Sequence, residues 1–133
     1  MQNSPAFAAS ALAAAFALSG CATIGAPTPL RDGHDVALGQ RAMVDGPIVE
    51  PVTVLEDSRC PMNARCIWAG RVRVAMLWHR GNGEKQPFEA TLGEPVQLAD
   101  GSFTLESVRP EKWTDRAIKP GDYRFSFRFA GGL

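Results

Sequence analysis

From Tyr123 to Phe129 the chain alternates without a slip: Tyr123, Phe125, Phe127 and Phe129 fall on one side, Arg124, Ser126 and Arg128 on the other. Successive side chains of a strand point to opposite faces, so this period of two predicts a β-strand with one buried face and one wet one. Ile67 to Arg80 is the longest run of the same kind. There Trp68, Gly70, Val72, Val74, Met76 and Trp78 share one face, and Ala69, Arg71, Arg73, Ala75 and His79 share the other. That assignment buries two tryptophans and leaves the charges in water. Gly81-Asn82-Gly83 reaches positive φ cheaply and predicts a hairpin into Lys85 to Leu92, whose Phe88, Ala90 and Leu92 line up on one face.

The remaining signals are shorter. Gly93 and Pro95 break the strand, Val96 to Leu98 forms a brief one, and Asp100-Gly101 turns the chain. Ser102 to Arg109 resumes with Phe103 and Leu105 in phase and Val108 out of phase, the mark of a bulge. Upstream, Val36 to Val44 predicts a first strand ended by Asp45-Gly46-Pro47, and Ile48 to Asp57 a second, in which Pro51 demands an edge or a bulge. Glu111 to Gly121, carrying Trp113, is the one long connection. With no strong helix signal after Asp35, the pattern predicts an all-β fold, a single small antiparallel β-sandwich or partly closed barrel of about seven strands. Its core is expected from Trp68, Val72, Val74, Met76, Trp78, Phe88, Leu92, Phe103, Leu105, Tyr123, Phe125 and Phe127.

The first residues follow different rules. Ala6 to Leu18 is a run of thirteen apolar or small residues without a charge. It falls short of the roughly 20 residues that span a bilayer as a helix and fits the apolar region of an export signal. Leu18-Ser19-Gly20-Cys21 comes next and resembles the lipobox of bacterial lipoproteins, although residues 1–20 contain no Lys or Arg, a departure from such signals. The resemblance implies cleavage before Cys21, a lipid on its thiol and anchoring in a membrane. Ala22, rather than aspartate, after that cysteine implies the outer membrane, facing the periplasm. The expected organisation is a lipoprotein signal peptide over 1–20, a lipidated N-terminus and flexible tether over 21–34, rich in Gly and Pro, and the β-domain over 35–133.

Lipidation of Cys21 would account for the odd one of three cysteines. Cys60 and Cys66 then remain. Five intervening residues let the chain reverse and bring the two Cα atoms within disulfide range, and export would supply the oxidising compartment. Zinc is the rival reading, but its cysteine pairs usually lie two to four residues apart with a second pair in reach. Asp57-Ser58-Arg59-Cys60-Pro61, then Cys66-Ile67-Trp68-Ala69-Gly70, and a closing Asp122-Tyr123-Arg124-Phe125 resemble a family of uncharacterised bacterial lipoproteins and secreted proteins. That family carries DSRCP followed by C-x-W-A-G in a small β-rich domain. The resemblance implies fold and compartment and no chemistry.

Fourteen basic and fourteen acidic side chains leave no net field, so nucleic acid is not an expected partner. Catalysis is not expected either. Ser58 has Asp57 beside it but no histidine nearby in sequence, His34 lying in the tether region and His79 on an outward strand face. Asp57 and Ser58 are expected to hydrogen-bond the turn backbone. Arg59 and Arg65 flank the cysteines, where a guanidinium can grip an anion or pair with Glu56 or Asp57. Arg71, Arg73, Arg124 and Arg128 would make a basic face if their strands were neighbours. Trp113, between Lys112 and Arg116, is a candidate exposed anchor or a cap on the core.

Pro61, Trp68 and Gly70 complete the structural part of the motif. No cofactor is expected, and the leading reading assigns no metal ligand. It is a lipid-anchored, non-catalytic envelope protein that binds a protein or glycan partner through the 60–66 and Trp113 loops. The alternatives are a hydrolase inhibitor presenting the 60–66 loop, and a copper-handling periplasmic protein using Cys60, Cys66, Met62 and Met43 for Cu(I).

Overall fold

The computed structural model describes residues 30–132, together with Asn3 and Gly20. The expected signal peptide, Cys21 and the tether up to residue 29 lie outside the described residues. Seven strands and no α-helix make up the described fold: β1 (Ala42–Met43), β2 (Ile48–Asp57), β3 (Val72–His79), β4 (Lys85–Thr91), β5 (Val96–Leu98), β6 (Gly101–Arg109) and β7 (Arg124–Ala130). They form two antiparallel sheets, one in the order β1-β2-β3-β4 and one in the order β5-β6-β7.

Aromatic packing binds the sheets face to face. Phe88 of β4 meets Phe103 of β6 edge to face, with ring centroids 5.4 Å apart, and Phe103 in turn lies 5.2 Å from Phe127 of β7. Tyr123, Phe125 and Phe127 stack in sequence along the inner face of β7. Val72, Val74 and Met76 close the core from β3, while Trp78, Phe88 and Leu92 pack against it half-buried. Val36, Val44, Val49, Leu98 and Phe129 join the core as well. The bulge expected near Val108 is present as a register shift between Leu105 and Ser107. Two more interrupt β2, where Val52 and Leu55 are skipped by the ladder to β3.

Two expected strands are shorter than their sequence pattern. Of Val36 to Val44 only Ala42 and Met43 form a strand. Val36 instead bridges Phe125 of β7, the chain turns at Gly39, whose φ is +79°, and Ala42 pairs with Val49 of β2. The segment crosses from one sheet to the other, so no single ladder can hold all of it. Arg31 and Gly33, at the end of the expected tether, also bond to the domain: Met43 N–H donates to the Arg31 carbonyl and Phe127 N–H to that of Gly33. On the opposite flank Leu92 N–H donates to the Val72 carbonyl and Gly93 N–H to that of Leu105. The sandwich is thus partly closed on both sides.

The second shortened strand is the longest run. Its ladder starts at Val72, not Ile67. Trp68 leaves the expected core and stands 71% exposed, with Ile67 beside it at 97%. Alternation cannot reach back past Gly70, because Gly70 takes φ +67° and its Cα lies so close to the Ser58 carbonyl that a Cβ would collide with it. Glycine alone fits there.

Phe103 is fully buried at the junction of the two sheets, and a truncated side chain leaves a cavity that neither sheet can close. Phe103→Ala is expected to lower the unfolding free energy by about 3 to 5 kcal/mol, measured by urea denaturation. A loss under 1 kcal/mol would show that the sheets are not held together at this ring.

Candidate functional site

The ends of β2 and β6 and the starts of β3 and β7 meet at one end of the sandwich, and the loop from Ser58 to Gly70 rises from there. Cys60 and Cys66 are joined by a disulfide across 5.8 Å between Cα atoms. Inside the staple a turn closes with Ala64 N–H donating to the Pro61 carbonyl, 3.1 Å. Ser58 seals the base: its N–H donates to the Arg71 carbonyl and its hydroxyl accepts from Arg71 N–H, 2.9 Å.

Asp57 sits beneath the loop with a side chain only 8% exposed, and Arg59 covers it at 14%. The guanidinium grips the carboxylate through two atoms, Nε to Oδ1 at 2.9 Å and Nη2 to Oδ2 at 2.8 Å. It also donates to the carbonyls of Val108, near the end of β6, and Pro110, just past it, both at 3.1 Å. Tyr123 donates its hydroxyl to Asp57 Oδ2 at 2.8 Å, and Lys112 Nζ donates to the Asp57 carbonyl. One carboxylate therefore ties together β2, the stapled loop, the end of β6 and the start of β7. Burial pushes the Asp57 carboxyl up, but the Arg59 and Tyr123 hydrogen bonds outweigh it and hold the group below the usual carboxylate range. Burial and the neighbouring carboxylate push the Tyr123 hydroxyl up to about 12. The hydrogen bonds to Asp57 hold the Arg59 guanidinium more firmly protonated still.

The Glu111–Gly121 connection is laced to the staple. Met62 N–H donates to the Lys112 carbonyl at 2.7 Å. Asn63 and Thr114 exchange two bonds, Nδ2 to Oγ1 at 2.8 Å and Thr114 N–H to Oδ1 at 3.1 Å. Neither Asn63 nor Thr114 stands out in the sequence, because 51 residues separate them. The two loops together display Met62, Ile67, Trp68 and Trp113, all exposed. The Arg116 guanidinium lies 5.8 Å from the Trp113 ring centroid. Arg65 is exposed and makes no ion pair among the described residues.

Other expected residues go elsewhere. Arg59 is committed to Asp57. The basic face does not form, because β3 and β7 lie in different sheets. Arg71 and Arg73 share Glu56, Arg73 also holds Glu89, and Arg128 holds Glu106. His79 lies against Glu50, far along β3 from Ser58. The disulfide consumes both thiols, which removes two of the sulfur donors the copper reading needs, and among the described residues no group of three His, Cys, Asp or Glu side chains gathers to hold a metal. Compared with protein-family models, curated proteins and solved structures, the chain finds no match.

Replacing both Cys60 and Cys66 by serine is expected to cost about 2 kcal/mol of stability, the closure entropy of so short a loop, read from urea midpoints of oxidised wild type and variant. A variant as stable as wild type would mean that the staple adds nothing to the braces around it.

Asp57 has a folded pKa below its unfolded one, so its charge contributes stability that is present above about pH 4 and lost as pH falls through the folded value. Tyr123 behaves in the opposite sense: its contribution is complete below about pH 10 and lost as pH rises through about 12. Tyr123 is the only tyrosine in the chain, so ultraviolet absorbance follows its ionisation directly. Asp57→Asn is expected to flatten the acid limb of the stability profile and bring the tyrosine titration down. An unshifted wild-type titration near 10 would contradict the Tyr123–Asp57 bond.

Proposed function

We propose that this chain is a non-catalytic, lipid-anchored protein of the bacterial cell envelope, facing the periplasm from the outer membrane, whose stapled end binds a protein partner. One observation carries the reading: four large apolar side chains stand in water on two loops that are bonded to each other and braced from below. Exposing Trp68 and Ile67 is unfavourable for a monomer, and Trp with flanking Arg is the composition of binding hot spots. The braces limit the ordering entropy that association would otherwise cost. Non-catalytic is the reading that Ser58 favours, because its hydroxyl serves the turn backbone and Glu56.

The compartment rests on the lipobox-like Leu18–Cys21 and on the disulfide. Geometry adds support for presentation. Leu30 lies at the rim of the concavity formed with Gly46, Gly83 and Gly132, at the end of the sandwich opposite the staple. An anchor at Cys21 would therefore attach to the domain at the end away from the staple, leaving the stapled end clear of the attachment.

Detergent-solubilised envelope extract passed over immobilised protein tests this. The wild type is expected to retain a component that Trp68→Ala and Trp113→Ala both lose, since each removes an exposed side chain without touching the core. Equal retention by both variants would remove the stapled end from the binding surface. A retained hydrolase that the domain inhibits would favour the inhibitor reading, which the braced 60–66 loop also suits. A glycan in place of a protein would keep the surface and change its partner.

A further inference from the structure

Strand edges expose unpaired N–H and C=O groups, and folded proteins guard them. Three outer edges here are guarded. That of β7 is covered at Phe125 by Val36 and at Phe127 by Gly33. Past the three-residue β5, the edge of β6 is met by Gly93 at Leu105 and by Arg59 at Val108. The edge strand β4 carries Lys85 and Pro87, residues that discourage pairing.

Past Pro51 the outer edge of β2 is guarded only by its two bulges. β1 covers Ile48 and Val49, and Gly39 N–H donates to the Pro51 carbonyl. Beyond Pro51, among the described residues, nothing outside β3 hydrogen-bonds the backbone of Val52, Thr53, Val54, Leu55 or Glu56. This run contains no Lys and no Pro. Its two skipped residues, Val52 and Leu55, are 45% and 48% exposed. Alongside it lies a cleft of about 290 Å³, walled by the apolar Leu38, Val54, Ile118 and Pro120 and by Glu56 and Asp57. An unpaired edge bordered by a cleft of mixed apolar and acidic lining is the layout of a strand-addition site, where main-chain bonds give affinity and a recess for alternate side chains gives selectivity.

The geometry points to this edge as a binding site for an extended peptide segment of a partner protein, added antiparallel or parallel to Val52–Glu56 with an apolar side chain in the cleft. The site borders the carboxylate cluster beneath the staple through Asp57 and Tyr123 but uses none of the exposed apolar side chains of the two loops. A second copy of the chain fits it less well. Two copies paired edge to edge would each bring two bulges that must coincide. A free peptide adapts its spacing to the bulges, and the cleft volume suits one or two side chains rather than another folded edge.

The test is selection from a phage-displayed library of random octapeptides on the oxidised protein. Enriched peptides are expected to alternate apolar and polar residues and to slow amide hydrogen exchange at Val52–Glu56. Their affinity is expected to fall about tenfold or more on N-methylation of alternate backbone nitrogens, and on Leu55→Lys, which places a charge on an already exposed position and spares the fold. The proposal is overturned by absence of enrichment, by peptides indifferent to N-methylation, or by protection elsewhere on the domain. A dimer that Leu55→Lys dissociates would assign the edge to a second copy. Slow exchange at Val52–Glu56 without peptide, lost on removing the residues before Leu30, would assign it to the chain's own N-terminal segment.

Discussion

Asp57 holds a full negative charge almost out of reach of water, and the stapled end is arranged around satisfying it. A buried charge is costly unless it is paired and hydrogen-bonded. Arg59 supplies two donors from the stapled loop and Tyr123 a third from the start of the opposite sheet. Arg59 has donors to spare and spends them on the Val108 and Pro110 carbonyls. The resulting cluster performs a task that apolar packing cannot, because it fixes directions as well as distances. Removing Arg59 would strand the carboxylate, and removing Asp57 would strand the guanidinium.

The disulfide acts above this cluster. On its own it would close a loop that could still swing about its base. Ser58 and Gly70 lock the base against Arg71 and each other, and the Asn63–Thr114 pair ties the tip to the neighbouring connection. The exposed Met62, Ile67, Trp68 and Trp113 are therefore held on a support that is both cross-linked and hydrogen-bonded. At the sides, the 31–42 segment reaches both sheets and stops short of the later half of β2.

Much of this fold is legible in the residue pattern, and the exceptions share a cause. β4, β5 and β7 could be read because their alternation is local and bounded by Gly, Pro or Asp. The bulge near Val108 announced itself as a residue out of phase. Trp68 misled because periodicity counts residues and cannot register a covalent bond at Cys66 or a positive φ at Gly70. Val36 to Val44 misled because each half pairs with a different sheet. The site was half visible: Asp57, Ser58, Arg59 and the cysteines stand together in sequence, whereas the hydroxyl of Tyr123 reaches Asp57 across 66 residues. A lone tyrosine ending a phenylalanine stripe did offer a signal, since a buried phenol needs an acceptor. Its identity required the fold.

The loops that carry Trp68 and Trp113 come from opposite sheets, and only the completed sandwich sets them side by side. The surface they form is discontinuous in the chain. A synthetic fragment copying residues 57–70, even oxidised, would present Ile67 and Trp68 without the neighbouring loop or the carboxylate-centred support. A single proteolytic nick between Glu111 and Thr114 would leave every strand intact and loosen the bonds that hold the two loops side by side.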